Sequence, residues 1–567
     1  MAGGRKRGAD SPTQGLASRF KSNFRFGGPV AENDPLLAEA YWDNGDYSAV
    51  EDFQDHHRFL IGRTGSGKSA AFRHLHGQHP NKVVRIAPEN LSLPYITNLD
   101  VVRRLNDLNV HLEPFFNALW KHVILVELLK HRYGITSPEQ KRTVLDQLRE
   151  TFGRDSAKRQ ALDYLTEFGE SFWCEADERV KEILDKFETR LQGGAGGRIG
   201  TGAVGASASA AAEVASSQET RRELTDYYQR VVNETQLPRL NHMIRILGSE
   251  ILDSRQHETY LLIDDLDRDW VDDAVANLLI RCLFTAVLDM GPVENLKVLV
   301  ALRTNIFQQL QYGEKLRGGQ EEKYRGLALH IRWTANDLKA LLNERAEAAC
   351  RKYGVRPVRT MEQMLPGGPA RRQDAFDYIL SQTLMRPRDA IVYLNETVRL
   401  ASGRDRITWK NLFGARKPYS DDRLLALRDE WKEPYFGIDR ALEWFRNVSI
   451  PMKREELTKV LDDIALLPAD STFRGTQWVT RICAHVYERG DRDWSEMYGD
   501  LVRLLYTIGF LGVHEGAHEV YYHEDQFELD DPANLDEQAI FTVHPAFRPA
   551  LGIDERSAQR GDKRFDD

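Results

Sequence analysis

A layered α/β fold built on a parallel sheet is predicted by two observations. A short apolar run, Arg58-Phe-Leu-Ile-Gly62, leads straight into a glycine loop and a helix-forming stretch, and a second run, Thr259-Tyr-Leu-Leu-Ile263, ends in a cluster of acids. Strands buried on both faces read as continuous apolar runs rather than alternating ones, and both runs have that character. A third, Leu296-Lys-Val-Leu-Val-Ala-Leu302, adds another strand. At 567 residues the chain is too long for one hydrophobic core, so the sheet is one unit among several.

The loop after the first run matches GxxxxGK followed by Ser, in a strand, loop and helix context, which is the phosphate-cradling P-loop. The expected cradle is Gly62, Arg63, Thr64, Gly65, Ser66, Gly67, Lys68, Ser69 and Ala70. Its glycines let successive N–H groups turn inward at a helix N-terminus, where the dipole favours negative charge. Lys68 is placed for the β- and γ-phosphates and Ser69 for Mg2+. The fold class that follows is an α/β P-loop NTPase core with a parallel sheet, a large helical insertion, a helical lid and a C-terminal winged-helix domain.

A P-loop needs a carboxylate at the end of a second buried strand, and Asp264-Asp265-Leu-Asp267-Arg268 supplies it. Asp264 is expected to hold Mg2+, and Asp265 to polarise the attacking water. Strand ends on one edge of a parallel sheet converge on the ligand, so Arg303, and after it Asn305, is the candidate sensor of the γ-phosphate. Leu327 to Trp333 reads as a further strand, and Thr334-Ala-Asn-Asp337 has the spacing of a helix capping box, so the core closes near residue 333.

Lys68 and Asp264 are 196 residues apart, whereas a strand-helix-strand crossover needs about 30. A helical insertion over about 98–255 is expected, from helical periodicity at Phe115 to Tyr133, Glu178 to Leu191 and Glu219 to Leu252. Residues 193–217 are Gly, Ala or Ser at 19 of 25 positions, a flexible tip by composition. The expected units are therefore a flexible basic tail over 1–34, the core with its insertion over 35–333, a helical lid over 334–402 and a winged-helix domain over 403–567.

The last unit rests on helices at Leu457 to Leu467, Trp478 to Arg489 and Met497 to Ile508, followed by two short strands. The net charge of −9 conceals two poles: residues 1–25 carry six basic residues against one acidic, and 514–537 carry nine Asp or Glu and no Lys or Arg. Phosphates would repel so acidic a wing, so it is expected to contact protein in preference to DNA, with nucleic acid remaining open as a partner. The letters His514-Glu-Gly-Ala-His518 match the HExxH zinc signature. Gly509, Gly512 and Gly516 oppose a helix there, so a zinc metalloprotease is a remote alternative.

Cys174, Cys282, Cys350 and Cys483 are widely spaced, without the CxxC pairs of thiolate zinc sites or a disulfide framework. The longest apolar run, Val123 to Leu129, contains Glu127 and is far short of a membrane span. The expectation is a cytoplasmic protein with no membrane segment and no secretory leader.

The P-loop, the string Ile263-Asp-Asp-Leu-Asp-Arg268, the strand ending in Arg303, and Met385-Arg-Pro-Arg388-Asp-Ala-Ile391 together resemble bacterial AAA+/STAND-type ATPases, and the acidic string is KAP-like. The resemblance covers roughly residues 55 to 400. It implies ATP and Mg2+ as cofactors, a lid sensor at Arg386 or Arg388, and a homo-oligomer in which Arg317 or Arg325 is offered to a neighbouring subunit. It further implies an ATPase switch or machine in antiphage defence, acting with a separate effector protein. The alternative is a nucleotide-gated scaffold with negligible turnover. KAP proteins often carry membrane helices between the two motifs, and the lack of any here keeps that role from being carried over.

Overall fold

The computed structural model describes residues 20–87, 112–135, 146, 149–150, 156–168, 237–264, 266, 273–312, 321–368, 374–488, 492–515, 518–521 and 539–555. They form two compact units. One comprises Gly45–Arg63 and Lys68–Ile331; the other joins the N-terminal segment up to Asn44, Thr64–Gly67 and the chain from Arg332 onward.

The first unit contains, in order, α1 (Asp46–Glu51), β1 (Phe59–Gly62), α2 (Lys68–Gln78), β2 (Val83–Ile86), α3 (Glu113–Arg132), α4 (Ser156–Phe168), α5 (Leu237–Ile246), β3 (Thr259–Ile263), α6 (Asp273–Asp289), β4 (Leu296–Arg303), α7 (Thr304–Tyr312), α8 (Glu321–Gly326) and β5 (Ala328–His330). The strands form one parallel sheet in the order β2-β3-β4-β1-β5. Every residue of β1 and β3 is buried, as their unbroken apolar runs require. Phe59, Ile61, Leu261, Ile263, Val298 and Val300 share a core with Phe116, Trp120 and Ile124 of α3 and with Leu283 of α6. Helix α3, within the stretch expected to be an insertion, is therefore part of the sheet's own core, pinned by Trp120 Nε1 donating to the Leu279 carbonyl at 2.9 Å. The expected helix Glu178–Leu191 and the small-residue tip 193–217 lie outside the described residues.

A charged side chain is buried within the strands. Lys297 on β4 is fully buried, and its Nζ donates to the carbonyl of Ala49 at 2.6 Å and, at shorter range, to that of Asp52. These carbonyls lie at the C-terminal end of α1, where a positive charge is favourable. Burial pulls the ammonium down to about 8, with nearby Arg58 acting in the same direction.

The second unit carries α9 (Ala335–Tyr353), α10 (Ala375–Ser381), α11 (Pro387–Leu400), α12 (Trp409–Trp431), α13 (Ile438–Leu442), β6 (Ser449–Ile450), β7 (Met452–Lys453), α14 (Arg454–Ala465), α15 (Thr476–Ile482), α16 (Ala484–Tyr487), α17 (Trp494–Thr507), β8 (Leu511–Glu515), β9 (His518–Tyr521), β10 (Ile540–Val543), α18 (Arg548–Leu551) and β11 (Asp554–Glu555). The capping box read from Thr334 and Asp337 starts α9. The helices expected from Leu457 and Met497 appear as α14 and α17, the expected helix Trp478–Arg489 is divided at Cys483 into α15 and α16, β8 and β9 pair as a hairpin, and the strand order is β7-β10-β8-β9.

Two expected boundaries need correction. The flexible tail does not reach residue 34: Phe20, Phe24 and Phe26 are fully or almost fully buried in the core of the second unit. The segment is strapped to α9 and α11. Asn395 accepts from Phe26 N–H at 2.9 Å and donates to the Gly27 carbonyl at 3.0 Å, while Arg345 pairs with Asp34 at 2.7 Å, both side chains buried. Residues 1–19 lie outside the described residues. The expected break at 402/403 is likewise no division between compact units, since the chain from Arg332 onward belongs to one body. Its long helix α12 packs on both α11 and α18.

Candidate nucleotide-binding site

β4 lies between β1 and β3, with Gly62 level with Arg303 and Ile263 level with Val300. The parallel strands therefore deliver Gly62, Asp264 and Arg303 to one edge of the sheet, where ligands of such folds bind. Asp264 directly follows β3 and is half-buried. Arg303 ends β4, also half-buried, and Asn305 is buried in the first turn of α7. Asp265 and Arg317 lie outside the described residues; Arg325 is exposed on α8.

Lys68 opens α2, an eleven-residue helix that also carries Ser69 and Ala70. Its ammonium donates to the carbonyls of Gly62 at 2.7 Å and Arg63 at 3.2 Å, so the charge is held over the mouth of its own loop. Arg63 is buried. Gly65 and Gly67 have φ of 85° and 107°, a region that only glycine enters without strain.

In the second unit, three consecutive loop residues are held by their main chains. Thr64 N–H donates to Glu430 Oε1 at 3.2 Å, the Gly65 carbonyl accepts from Arg388 N–H at 3.4 Å, and the Ser66 carbonyl accepts from Trp333 Nε1 at 2.7 Å. Arg388 crosses Gly65 so closely that a Cβ there would lie 2.7 Å from Arg388 Cβ. Gly65 is thus required by the approach of Arg388 as well as by the bend of the loop.

Arg386 and Arg388 differ. Arg386 caps the start of α11, donates from Nε to Asp389 at 2.5 Å and faces Glu430 at 3.5 Å, near enough for charge attraction but too long for a hydrogen bond. Asp389, fully buried, also pairs with Arg423 at 2.8 Å. Arg386 is thereby committed to a buried ion network. Arg388 Nε is buried without a hydrogen-bond partner, and desolvation lowers the pKa of its guanidinium.

The loop fits a phosphate ligand on its own geometry. The Ser66 hydroxyl and Thr64 Oγ1 are buried with no hydrogen-bond partner, and a Cβ on Gly67 would meet only Trp333, at 3.7 Å. A buried hydroxyl without a partner calls for one, and a phosphate oxygen could accept from either Thr64 or Ser66. A nucleotide phosphate would be held by the loop, Lys68 and Ser69, and Mg2+ by Ser69 and Asp264.

His514 and His518 stand on β8 and β9, paired across the hairpin with Glu519 and Glu515. The remote HExxH alternative is corrected by this, because the signature requires both imidazoles on one helical face. Among the described residues, the cluster with metal-ligand geometry is Asp55, His56 and His57, where Asp55 is already bonded to His57 Nδ1 at 2.9 Å. No helix among the described residues is long and apolar enough to cross a membrane.

Sequence reasoning did not find Glu430, Arg423 or Trp333. Glu430 is 366 residues from its loop partner and belongs to no motif. Only the Arg386–Asp389 pair, three residues apart at the start of a helix, had a local signal.

A domain family described as the FunZ-associated C-terminal helical domain matches residues 336–428, α9 to most of α12. No curated protein matches the chain. Among solved structures, it is similar to a Walker-type ATPase of Pyrococcus abyssi, at 11% identity and a TM-score of 0.34, over 90% of this chain and 96% of that one. It is also similar to the ORC1 protein of Aeropyrum pernix, solved in complex with DNA, at 11% identity and a TM-score of 0.29, over 91% of this chain and 94% of that one.

Proposed function

We propose that the chain is a Mg2+-dependent ATP-binding and ATP-hydrolysing switch. The observation that carries this reading is the motif itself: GxxxxGK followed by Ser stands between β1 and α2, with Gly65 and Gly67 at positive φ and the Lys68 ammonium on the carbonyls of Gly62 and Arg63. Lys68 binds phosphate and Ser69 and Asp264 hold the metal, while Asp265 orients the attacking water. Bound Mg2+ supplies neutralisation of phosphate charge. Arg303, level with Gly62, is the core sensor. Arg388 is assigned the lid sensor role in place of Arg386, because Arg386 already serves Asp389.

Arg325, exposed on α8, is the described candidate for a trans arginine in a homo-oligomer. The helices and hairpin of residues 454–521 are read as a winged helix used for protein contact, given its acidic wing sequence. Work in antiphage defence with a separate effector rests on the AAA+/STAND and KAP-like resemblance of the Ile263–Arg268 string. Steady-state phosphate release tests the enzyme reading. The expected result is Mg2+-dependent turnover lost in both Lys68→Ala and Asp265→Asn. Tight binding of ATP without turnover in the unmodified protein would favour the nucleotide-gated scaffold instead.

A further inference from the structure

We propose that Glu430 is a positioning residue that ties the P-loop to the C-terminal part of the chain, so that occupancy of the loop is felt beyond α12. The proposal rests on the nucleotide-binding reading above.

Glu430 sits in the last turn of α12 with its carboxylate buried. One oxygen accepts from Thr64 N–H in the loop and the other faces Arg386. From Arg386 the network runs through Asp389 on α11 to Arg423, which returns it to α12. Arg423 is seven residues before Glu430, about two helical turns. The guanidinium of Arg423 also lies over the Tyr419 ring, 5.7 Å from its centroid. Beside Tyr419, Ser420 Oγ accepts from the main-chain N–H of Ala550 at 2.9 Å, which fixes α12 to α18. A continuous set of contacts therefore leads from Thr64 to Ala550, and the part of α12 from Tyr419 to Glu430, beyond its internal Pro418, forms most of its length.

Stability alone does not account for this arrangement. Three buried charges and the largely buried Arg423 are costly to desolvate, and apolar residues of similar volume commonly serve a core at least as well. In such a network a displaced carboxylate must find new hydrogen bonds instead of sliding, which suits it to switching between arrangements. The loop end of the network is a main-chain N–H of the phosphate cradle. A change in the loop's backbone on binding phosphate alters the donor that Glu430 holds, and α12 carries the change to residues 540–551.

Hydrogen exchange on the full chain, with and without Mg2+ and a non-hydrolysable ATP analogue at saturation, tests the proposal. In the unmodified protein, nucleotide is expected to slow exchange in 62–70 and to change it at least threefold in 540–551. Glu430→Gln keeps an acceptor for Thr64 N–H but removes the charge facing Arg386. It is expected to protect 62–70 at saturation, with roughly tenfold weaker affinity, and to leave 540–551 unchanged. A purely structural residue would shift the melting temperature without separating the two segments. If Glu430→Gln fails to fold, Arg423→Lys, which keeps the charge but loses the fork, makes the same comparison. Equal transmission to 540–551 in a folded variant and in the unmodified protein overturns the proposal, as does protection of 62–70 alone in the unmodified protein. Protection of neither segment overturns the nucleotide-binding reading and this proposal with it.

Discussion

The side chain of Arg388 begins where a side chain on Gly65 would have to go, with 2.7 Å between Arg388 Cβ and the position of a Cβ on residue 65. Gly65 also has φ of 85°, so alanine there meets both backbone strain and a collision. Gly65→Ala is expected to weaken MgATP binding at least about tenfold, which corresponds to ~1.4 kcal/mol. Equilibrium titration with a fluorescent ATP analogue reads this directly, and unchanged affinity would contradict the close approach of Arg388.

Replacing the two lid arginines should separate stability from activity. Arg386→Ala leaves Asp389 and Glu430 buried with less compensation and is expected to cost about 3 kcal/mol of stability. Arg388→Ala removes a buried, partnerless nitrogen, so the melting temperature should hold or rise while ATP turnover falls at least tenfold. Thermal melts alongside phosphate release distinguish the two. The assignment fails if Arg386→Ala is as stable as the unmodified protein and loses only activity.

The N-terminal strap offers a test of stability. Asp34 accepts from the main-chain N–H groups of Gly28 and Leu36 and pairs with buried Arg345. Asp34→Ala strands the Arg345 charge in the core and is expected to destabilise the second unit by about 3–5 kcal/mol. Urea unfolding monitored through residues of that unit measures the loss.

A pH dependence follows from His122. It is buried in α3, its Nδ1 lies 2.6 Å from the Tyr164 hydroxyl, and burial pushes its pKa down to about 3. The unfolded chain takes up this proton near pH 6.5, whereas the folded one does not. Stability is therefore complete above about 6.5 and declines as pH falls toward 3, at about 1.4 kcal/mol per unit. His122→Gln should flatten this slope in urea midpoints measured between pH 7 and 5.

The parts of the fold that were legible in the sequence share a local cause. The buried strands announced themselves as apolar runs, the P-loop as a spacing of glycines and lysine, and α9 as a capping box at Thr334 and Asp337. The burial of Phe20, Phe24 and Phe26 was not legible, because their partners on α9 and α11 lie more than 300 residues away and the surrounding basic residues suggested a tail. The same holds at the site. Lys68 and Asp264 belong to motifs, but Glu430 acquires its role only when α12 brings it to Thr64, and nothing in the letters near Glu430 marks that contact. Of the two arginines in Met385–Arg388, the observed pairing of Arg386 with Asp389 singles out Arg388, with the i, i+3 spacing its local hint.

The most direct test of the account is calorimetric titration of MgATP into the full chain and into Lys68→Ala. The account predicts saturable binding near one nucleotide per chain in the unmodified protein, weakened at least a hundredfold by Lys68→Ala with the melting temperature preserved. Equal binding by both proteins, or none by the unmodified chain, would contradict it.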